Sequence, residues 1–137
     1  MTAQSTAALI RRYLDAFNAR DFDAMLACLS EDVVHDINQG GREIGRDAFR
    51  WFNARMAEHY EETLGDIVVM VDDSGHHAAA EFTVRGRYLK TDEGLPEATG
   101  QSYSLTAGIF FEVEDGAVTR VSTTYNLPAW IAQVQAG

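Results

Sequence analysis

The chain of 137 residues is poor in cysteine and proline, with one and two respectively. Lone Cys28 cannot close an intramolecular disulfide or build a multi-cysteine metal cage, and such usage suits a reducing cytoplasm. No stretch approaches the roughly 20 apolar residues that a membrane helix needs. Met1 to Ala8 has no basic region followed by an apolar run, so no signal peptide is expected. Basic residues are scarce: 11 Lys and Arg stand against 21 Asp and Glu, for a net charge of −10. Such a chain repels phosphate backbones and anionic lipid surfaces, so neither nucleic acid nor membrane is expected as a partner. GxSxG, P-loop, GxGxxG and HExxH motifs are all missing, which leaves no support for a hydrolase elbow, a nucleotide or dinucleotide cofactor, or a metal. Internal repeats and low-complexity tracts are also absent. What is present is ordinary globular composition, 46% hydrophobic and 23% charged, at a length suited to one domain over 1–137.

The first half has helical periodicity. Thr6, Leu9, Ile10, Tyr13, Leu14 and Phe17 form one apolar stripe. Asp21 is placed to cap a second short helix carrying Phe22, Met25, Leu26 and Leu29. Val33 to Asn38 alternates as a short strand, and Gln39-Gly40-Gly41 turns toward a partner at Arg42-Glu43-Ile44. A third helix is expected from Arg46 to about Thr63, with Phe49, Phe52, Met56 and His59 or Tyr60 on its stripe. Beyond it the period shifts to two. Strands are expected at Asp66–Val71, His77–Leu89, Tyr103–Val113 and Val118–Leu127, with a closing helix over Pro128–Gln135. In the second of these Ala80, Phe82, Val84, Gly86 and Tyr88 share a face opposite Glu81, Thr83, Arg85 and Arg87. Helices followed by a meander predict an α+β domain: helices on one face of a curved antiparallel sheet.

Asp36 is the most informative residue. A carboxylate in an apolar strand is costly to bury without partners. Its parity places it with Val34 and opposite His35. If the helices cover that face, Asp36 looks into the interior, where its pKa rises toward the range of a general base. The other possibility is a solvated strand-end acid that caps an amide. Tyr13, on the buried stripe of the first helix, could donate a hydrogen bond to a carbonyl or enolate oxygen. Tyr88, Tyr103 and Tyr125 lie near apolar parities of their strands, and His59 is the best second titratable group for a pocket. His35 reads as packing, and His76-His77 as solvated. The acids Glu58, Glu61 and Glu62, with Asp92, Glu93 and Glu97, read as surface.

The run Arg12-Tyr13-Leu14-Asp15-Ala16-Phe17-Asn18-Ala19-Arg20-Asp21-Phe22-Asp23 resembles the opening of ketosteroid isomerase-like proteins. Leu29-Ser30-Glu31-Asp32-Val33-Val34-His35-Asp36, Gly45-Arg46-Asp47-Ala48-Phe49 and Tyr125-Asn126-Leu127-Pro128-Ala129-Trp130 extend the likeness from about Thr6 to Trp130. These proteins belong to the nuclear transport factor 2-like superfamily, with polyketide cyclases and limonene epoxide hydrolase as relatives. The resemblance implies a cone of three N-terminal helices closing over a strongly bent antiparallel sheet. It also implies an apolar pocket and a homodimer formed through the outer sheet face. It assigns the base to Asp36 and the carbonyl donor to Tyr13, with no cofactor. The expected pocket takes in Phe17, Val34, Asn38, Phe52, Met56, His59, Phe82, Tyr88, Tyr103, Ala107, Ile109, Tyr125 and Trp130. Ketosteroid isomerase places a protonated acid near Ala107, which this chain lacks; Asn38, Asn126, His59 or Tyr103 could supply that hydrogen bond. The expected function is proton transfer α to a carbonyl of a small apolar substrate, by isomerisation or cyclisation. The alternative is a non-catalytic binding or assembly domain.

Overall fold

The computed structural model describes residues 2–137. In chain order the elements are α1 (Ala3–Asn18), α2 (Phe22–Ala27), β1 (Leu29–Asp36), β2 (Arg42–Ile44) and α3 (Arg46–His59). They continue with β3 (Tyr60–Val71), β4 (His77–Tyr88), β5 (Ser102–Glu114), β6 (Ala117–Tyr125) and α4 (Leu127–Ala136). Six strands form one curved, unclosed sheet in the order β2-β1-β6-β5-β4-β3.

Local chemistry sets the helix boundaries. Thr2 and Ser5 form a capping box at the start of α1. Asp21 caps α2 by accepting from the Ala24 amide at 3.1 Å, as its position in the sequence predicts. Asn126 caps α4 in the same way through the Ala129 amide at 3.0 Å. The α1 stripe of Leu9, Ile10, Tyr13 and Leu14 is buried, and α1 packs over β3 and β4. The inward residues of β4 and β5 complete the core: Ala80, Phe82, Val84 and Tyr88 opposite Ala107, Ile109, Phe111 and Val113.

Three expectations need correction. The sheet is mixed: β1 runs parallel to β6, because α3 carries the chain to the far edge and β6 returns beside β1. Helix α3 stops at His59, not near Thr63; Tyr60 is already extended and pairs with Tyr88. The positions Tyr60, Glu62 and Leu64 fit a strand's period of two, and pairing with β4 decides between the periods. The strand β1 also begins at Leu29, absorbing the polar Ser30-Glu31-Asp32 that looked like a helix end.

Candidate active site

Asp36 lies on the outer face of the sheet. The β1 parity is as read, with His35 opposite Asp36, but α3 covers the His35 side. The His35 ring packs on Phe49 and Phe52, at centroid distances of 4.4 and 4.6 Å. The Asp36 carboxylate instead accepts two hydrogen bonds from Arg42, Nε at 2.6 Å and Nη2 at 3.1 Å. Arg120 approaches to 3.5 Å and itself binds Glu112 at 2.7 Å. The Arg42 hydrogen bond, above all, holds the Asp36 carboxyl below the usual carboxylate range. This is the opposite of the raised value expected for a base in an apolar hollow.

Tyr13 is buried, edge-on to Phe111 at 5.6 Å. Burial pushes its phenol far upward, and the Cys28 thiol adds to the effect. Tyr13 and Asp36 therefore lie on opposite sides of the sheet and form no common site. Val34 shares the outer face with Asp36 and lines a depression of about 360 Å³ together with Asp32, His76 and His77. That removes it from the expected inner pocket.

The inner face brings together a different set. Glu62, Gly86 and Tyr103 stand opposite one another across β3, β4 and β5. The Tyr103 hydroxyl donates to Glu62 Oε2 at 2.5 Å. A Cβ at Gly86 would come within 2.5 Å of the Tyr103 ring and hydroxyl, so the bare glycine is what lets the ring lie across the strand. Burial raises the Glu62 carboxyl above its ordinary value, while the Tyr103 hydrogen bond and the charge of Arg20 draw it partly back. The carboxylates of Glu62 and Asp92 both act on Tyr125, whose phenol burial raises and Asn38 partly lowers. Asn38 fixes that segment by pairing with the Tyr125 backbone, its amide donating to the carbonyl oxygen at 3.0 Å.

A second acid closes one end of this face. The Asp92 carboxylate accepts from Tyr60 at 2.8 Å and from Arg55 at 3.0 Å. Tyr88 accepts from the Asp92 amide and donates to the Pro96 carbonyl oxygen, which pins the loop 89–101 over the sheet. Trp130 of α4 stands edge-on to Tyr60, Tyr88 and Tyr103, at 5.9, 4.9 and 5.7 Å. His59 Nδ1 lies 3.0 Å from the Lys90 carbonyl oxygen, so it serves the same loop.

The remaining expected pocket residues divide by burial. Phe82, Ala107 and Ile109 are core; Phe17, Phe52, Met56 and Tyr125 are half-buried. Among the described residues no three of His, Cys, Asp and Glu converge in a way that could hold a metal ion. Glu62 and Asp92 were hidden among acids that read as solvated surface. The signal in the sequence is the shared parity of Tyr60-Glu62-Leu64 and Tyr88-Gly86-Val84, which a helical stripe continuing to Thr63 masks.

The helices packed on one curved six-stranded sheet have the fold of the nuclear transport factor 2-like superfamily. The SnoaL-like family pattern matches residues 10–121, and the chain belongs to that family. It is similar to a candidate polyketide cyclase from Xanthomonas campestris pv. campestris: 56% identity, 96% of this chain and 97% of that one covered, TM-score 0.93. A candidate polyketide cyclase from Pseudomonas putida KT2440 is 53% identical over 98% of both chains, also at 0.93. An LEH-like epoxide hydrolase from M. tuberculosis, at 19% identity, 98% and 92% coverage and a TM-score of 0.73, shares the fold. No curated protein matches. Among the described residues no helix is long and apolar enough to cross a membrane.

Proposed function

We propose that the protein is an enzyme of polyketide-cyclase type. It moves a proton next to a carbonyl of a small apolar substrate, in an isomerisation or cyclisation that needs no cofactor, with Glu62 as the base. The observation that carries this reading is an inward carboxyl, raised by burial, held at one oxygen by Tyr103 and acting electrostatically on Tyr125. A pKa raised by burial makes the carboxylate a stronger base than an ordinary solvated one. Tyr103 occupies Oε2, so Oε1 is the oxygen that takes the proton. In this reading Tyr125, on whose phenol the Glu62 charge acts, donates to the enolate oxygen that develops. One such donor contributes on the order of 10²–10³ in rate. The likeness to candidate polyketide cyclases at 53–56% identity supports the substrate class.

Asp36 and Tyr13 have no part in this mechanism. Asp36 is neutralised by two arginines on the outer face, and Tyr13 is packed against Phe111. The outer face presents Phe110, Met70 and Val68, each about half exposed, together with the Arg42–Asp36–Arg120–Glu112 chain. That mixture of apolar and paired charged groups suits a homodimer interface. The lone free thiol of Cys28 suits a reducing cytoplasm.

The test is hydrogen–deuterium exchange at the α-carbon of small β-keto esters, followed by proton NMR. Wild type and Asp36→Asn should catalyse exchange, whereas Glu62→Gln should lose at least 100-fold. An active Glu62→Gln overturns the mechanism. The alternative is a non-catalytic binding or assembly domain, favoured by the absence of an acid at buried Ala107. It requires that none of the three proteins accelerate exchange.

A further inference from the structure

We propose that the groove on the outer side of the Glu62–Gly86–Tyr103 row binds a small molecule through an oxyanion, either a carboxylate or a phosphate. Two cross-strand rows form its floor: Glu61–Arg87–Ser102 and Thr63–Arg85–Ser104. Arg20 joins them from the turn after α1, and Gln133 from α4. Three guanidinium groups thus share one groove of about 550 Å³ on a chain whose net charge is −10. That volume exceeds what a bare ion needs and falls in the range of small-molecule sites, roughly 300–1,000 Å³.

The arginines are arranged, not scattered. Arg20 occupies the residue after the α1 C-cap at φ 59°, with the Asp21 amide bonded to the Ala16 carbonyl and the Arg20 amide to that of Phe17. Glycine is the residue normally favoured at this left-handed position. The chain instead places an arginine there, whose Nη1 donates to the Asn18 carbonyl oxygen at 2.9 Å and whose Nη2 lies 3.4 Å from Thr63 Oγ1. Asp66 is also left-handed, at φ 52°, and its carboxylate holds Arg85 Nη2 at 3.2 Å. Gly65 gives the Arg85 guanidinium its room, since a Cβ there would meet Nη1 at 2.5 Å. Among the described residues neither Arg20 nor Arg87 has an acidic partner within ion-pair distance. Arg87, and Arg20 bonded only to neutral oxygens, stand beside a positioned third guanidinium and the Ser102, Ser104 and Thr63 hydroxyls; with Glu61 the one carboxylate lining the groove, donors outnumber acceptors there, as an oxyanion requires.

The experiment titrates the full chain with inorganic phosphate and, separately, with benzoate, at ionic strength held constant with chloride. Arginine Nε–H resonances are followed by NMR. Saturable shifts of Arg20 and Arg87 are expected for at least one anion, weakened tenfold or more in Arg87→Ala and in Arg20→Gly. Arg20→Gly should melt no lower than wild type, because glycine tolerates that backbone conformation. Saturation by phosphate alone assigns a phosphorylated ligand, and by benzoate alone a carboxylate. Purely linear shifts with both anions, or wild-type affinity in both variants, overturn the site. Glu62→Gln should still bind, so loss of the base and loss of the anion site are read separately.

Discussion

The hydroxyl of Tyr103 reaches the carboxylate of Glu62 across the intervening strand because nothing projects from Gly86 between them. A methyl at that position and the Tyr103 ring cannot share the space. Gly86→Ala should therefore destabilise the fold by about 1–3 kcal/mol, the usual range for overpacking. It should also move the hydroxyl away from Glu62. Tyr103→Phe removes the same hydrogen bond without a clash. Since that bond holds the Glu62 pKa down, both variants should raise it further. Carbon-13 NMR titration of the Glu62 carboxyl reads the shift, and thermal melting reads the clash. An unmoved Glu62 titration in Tyr103→Phe contradicts the assignment.

Glu62 also ties stability to pH. Its folded pKa is raised above the unfolded value of about 4.3, so the folded chain binds this proton more tightly than the unfolded chain does. The contribution is fully present below the unfolded pKa and is lost as pH rises through the folded one. Above that window a buried charge weighs on the fold. Glu62→Gln, which keeps an acceptor for Tyr103, should melt higher than wild type at neutral pH and no higher near pH 4. A lower melting temperature at neutral pH would mean that the charge is stabilising.

Asp36 behaves in the opposite sense. Its folded pKa is depressed, first by the Arg42 hydrogen bond, so its stability contribution is present above the unfolded value of about 3.9 and lost as pH falls through the folded one. The pair is open to solvent, with Asp36 27% and Arg42 58% exposed, and exposed pairs are worth at most about 1 kcal/mol. Asp36→Asn should therefore cost less than that in a urea melt at pH 7 and leave α-proton exchange unchanged. Loss of exchange in this variant would return the base to Asp36.

Much of the frame was legible because burial imposes a period. The α1 stripe, the Asp21 cap and the inward faces of β4 and β5 follow from spacing alone. Parity, however, tells which residues share a face and not which face is covered. Val33 and His35 alternate with Val34 and Asp36 under either assignment, and only the docking of Phe49 and Phe52 on His35 decides. Glu62 escaped because Met56, Tyr60 and Thr63 also fit a helical stripe. The end of α3 is fixed by pairing with Tyr88, a contact 28 residues away in sequence that local periodicity does not register. The row of Glu62, Gly86 and Tyr103 exists only once the register of three strands is known.

The loop after β4 is held by a clasp that hydrogen exchange can open. Asp92 is 8% exposed and takes hydrogen bonds from Tyr60, Arg55 and the Glu93 amide. Removing it leaves the Tyr60 hydroxyl without its acceptor. Asp92→Ala should cost about 1–3 kcal/mol, the range for stranding a buried polar partner. Amides over residues 90–100 should exchange faster while those of β5 and β6 stay protected. Uniform acceleration through the sheet would show that Asp92 supports the whole fold and not the loop.

His35 supplies the sharpest acid response. It is 4% exposed, packed on Phe49 and Phe52, and its Nδ1 has no hydrogen-bond partner among the described residues. Burial lowers its pKa to about 4, with the neighbouring Asp36 charge opposing. The unfolded chain, with a value of about 6.5, takes up this proton first as pH falls. The His35 contribution to stability is therefore full above about pH 6.5 and declines as pH drops toward 4, by about 3 kcal/mol over the window. His35→Leu, close in volume and without the orphan nitrogen, should flatten that decline in urea melts between pH 4 and 7. Asp36→Asn should steepen it, because removing the carboxylate deepens the depression of the imidazole. A wild-type slope that persists in His35→Leu would place the acid sensitivity on another group.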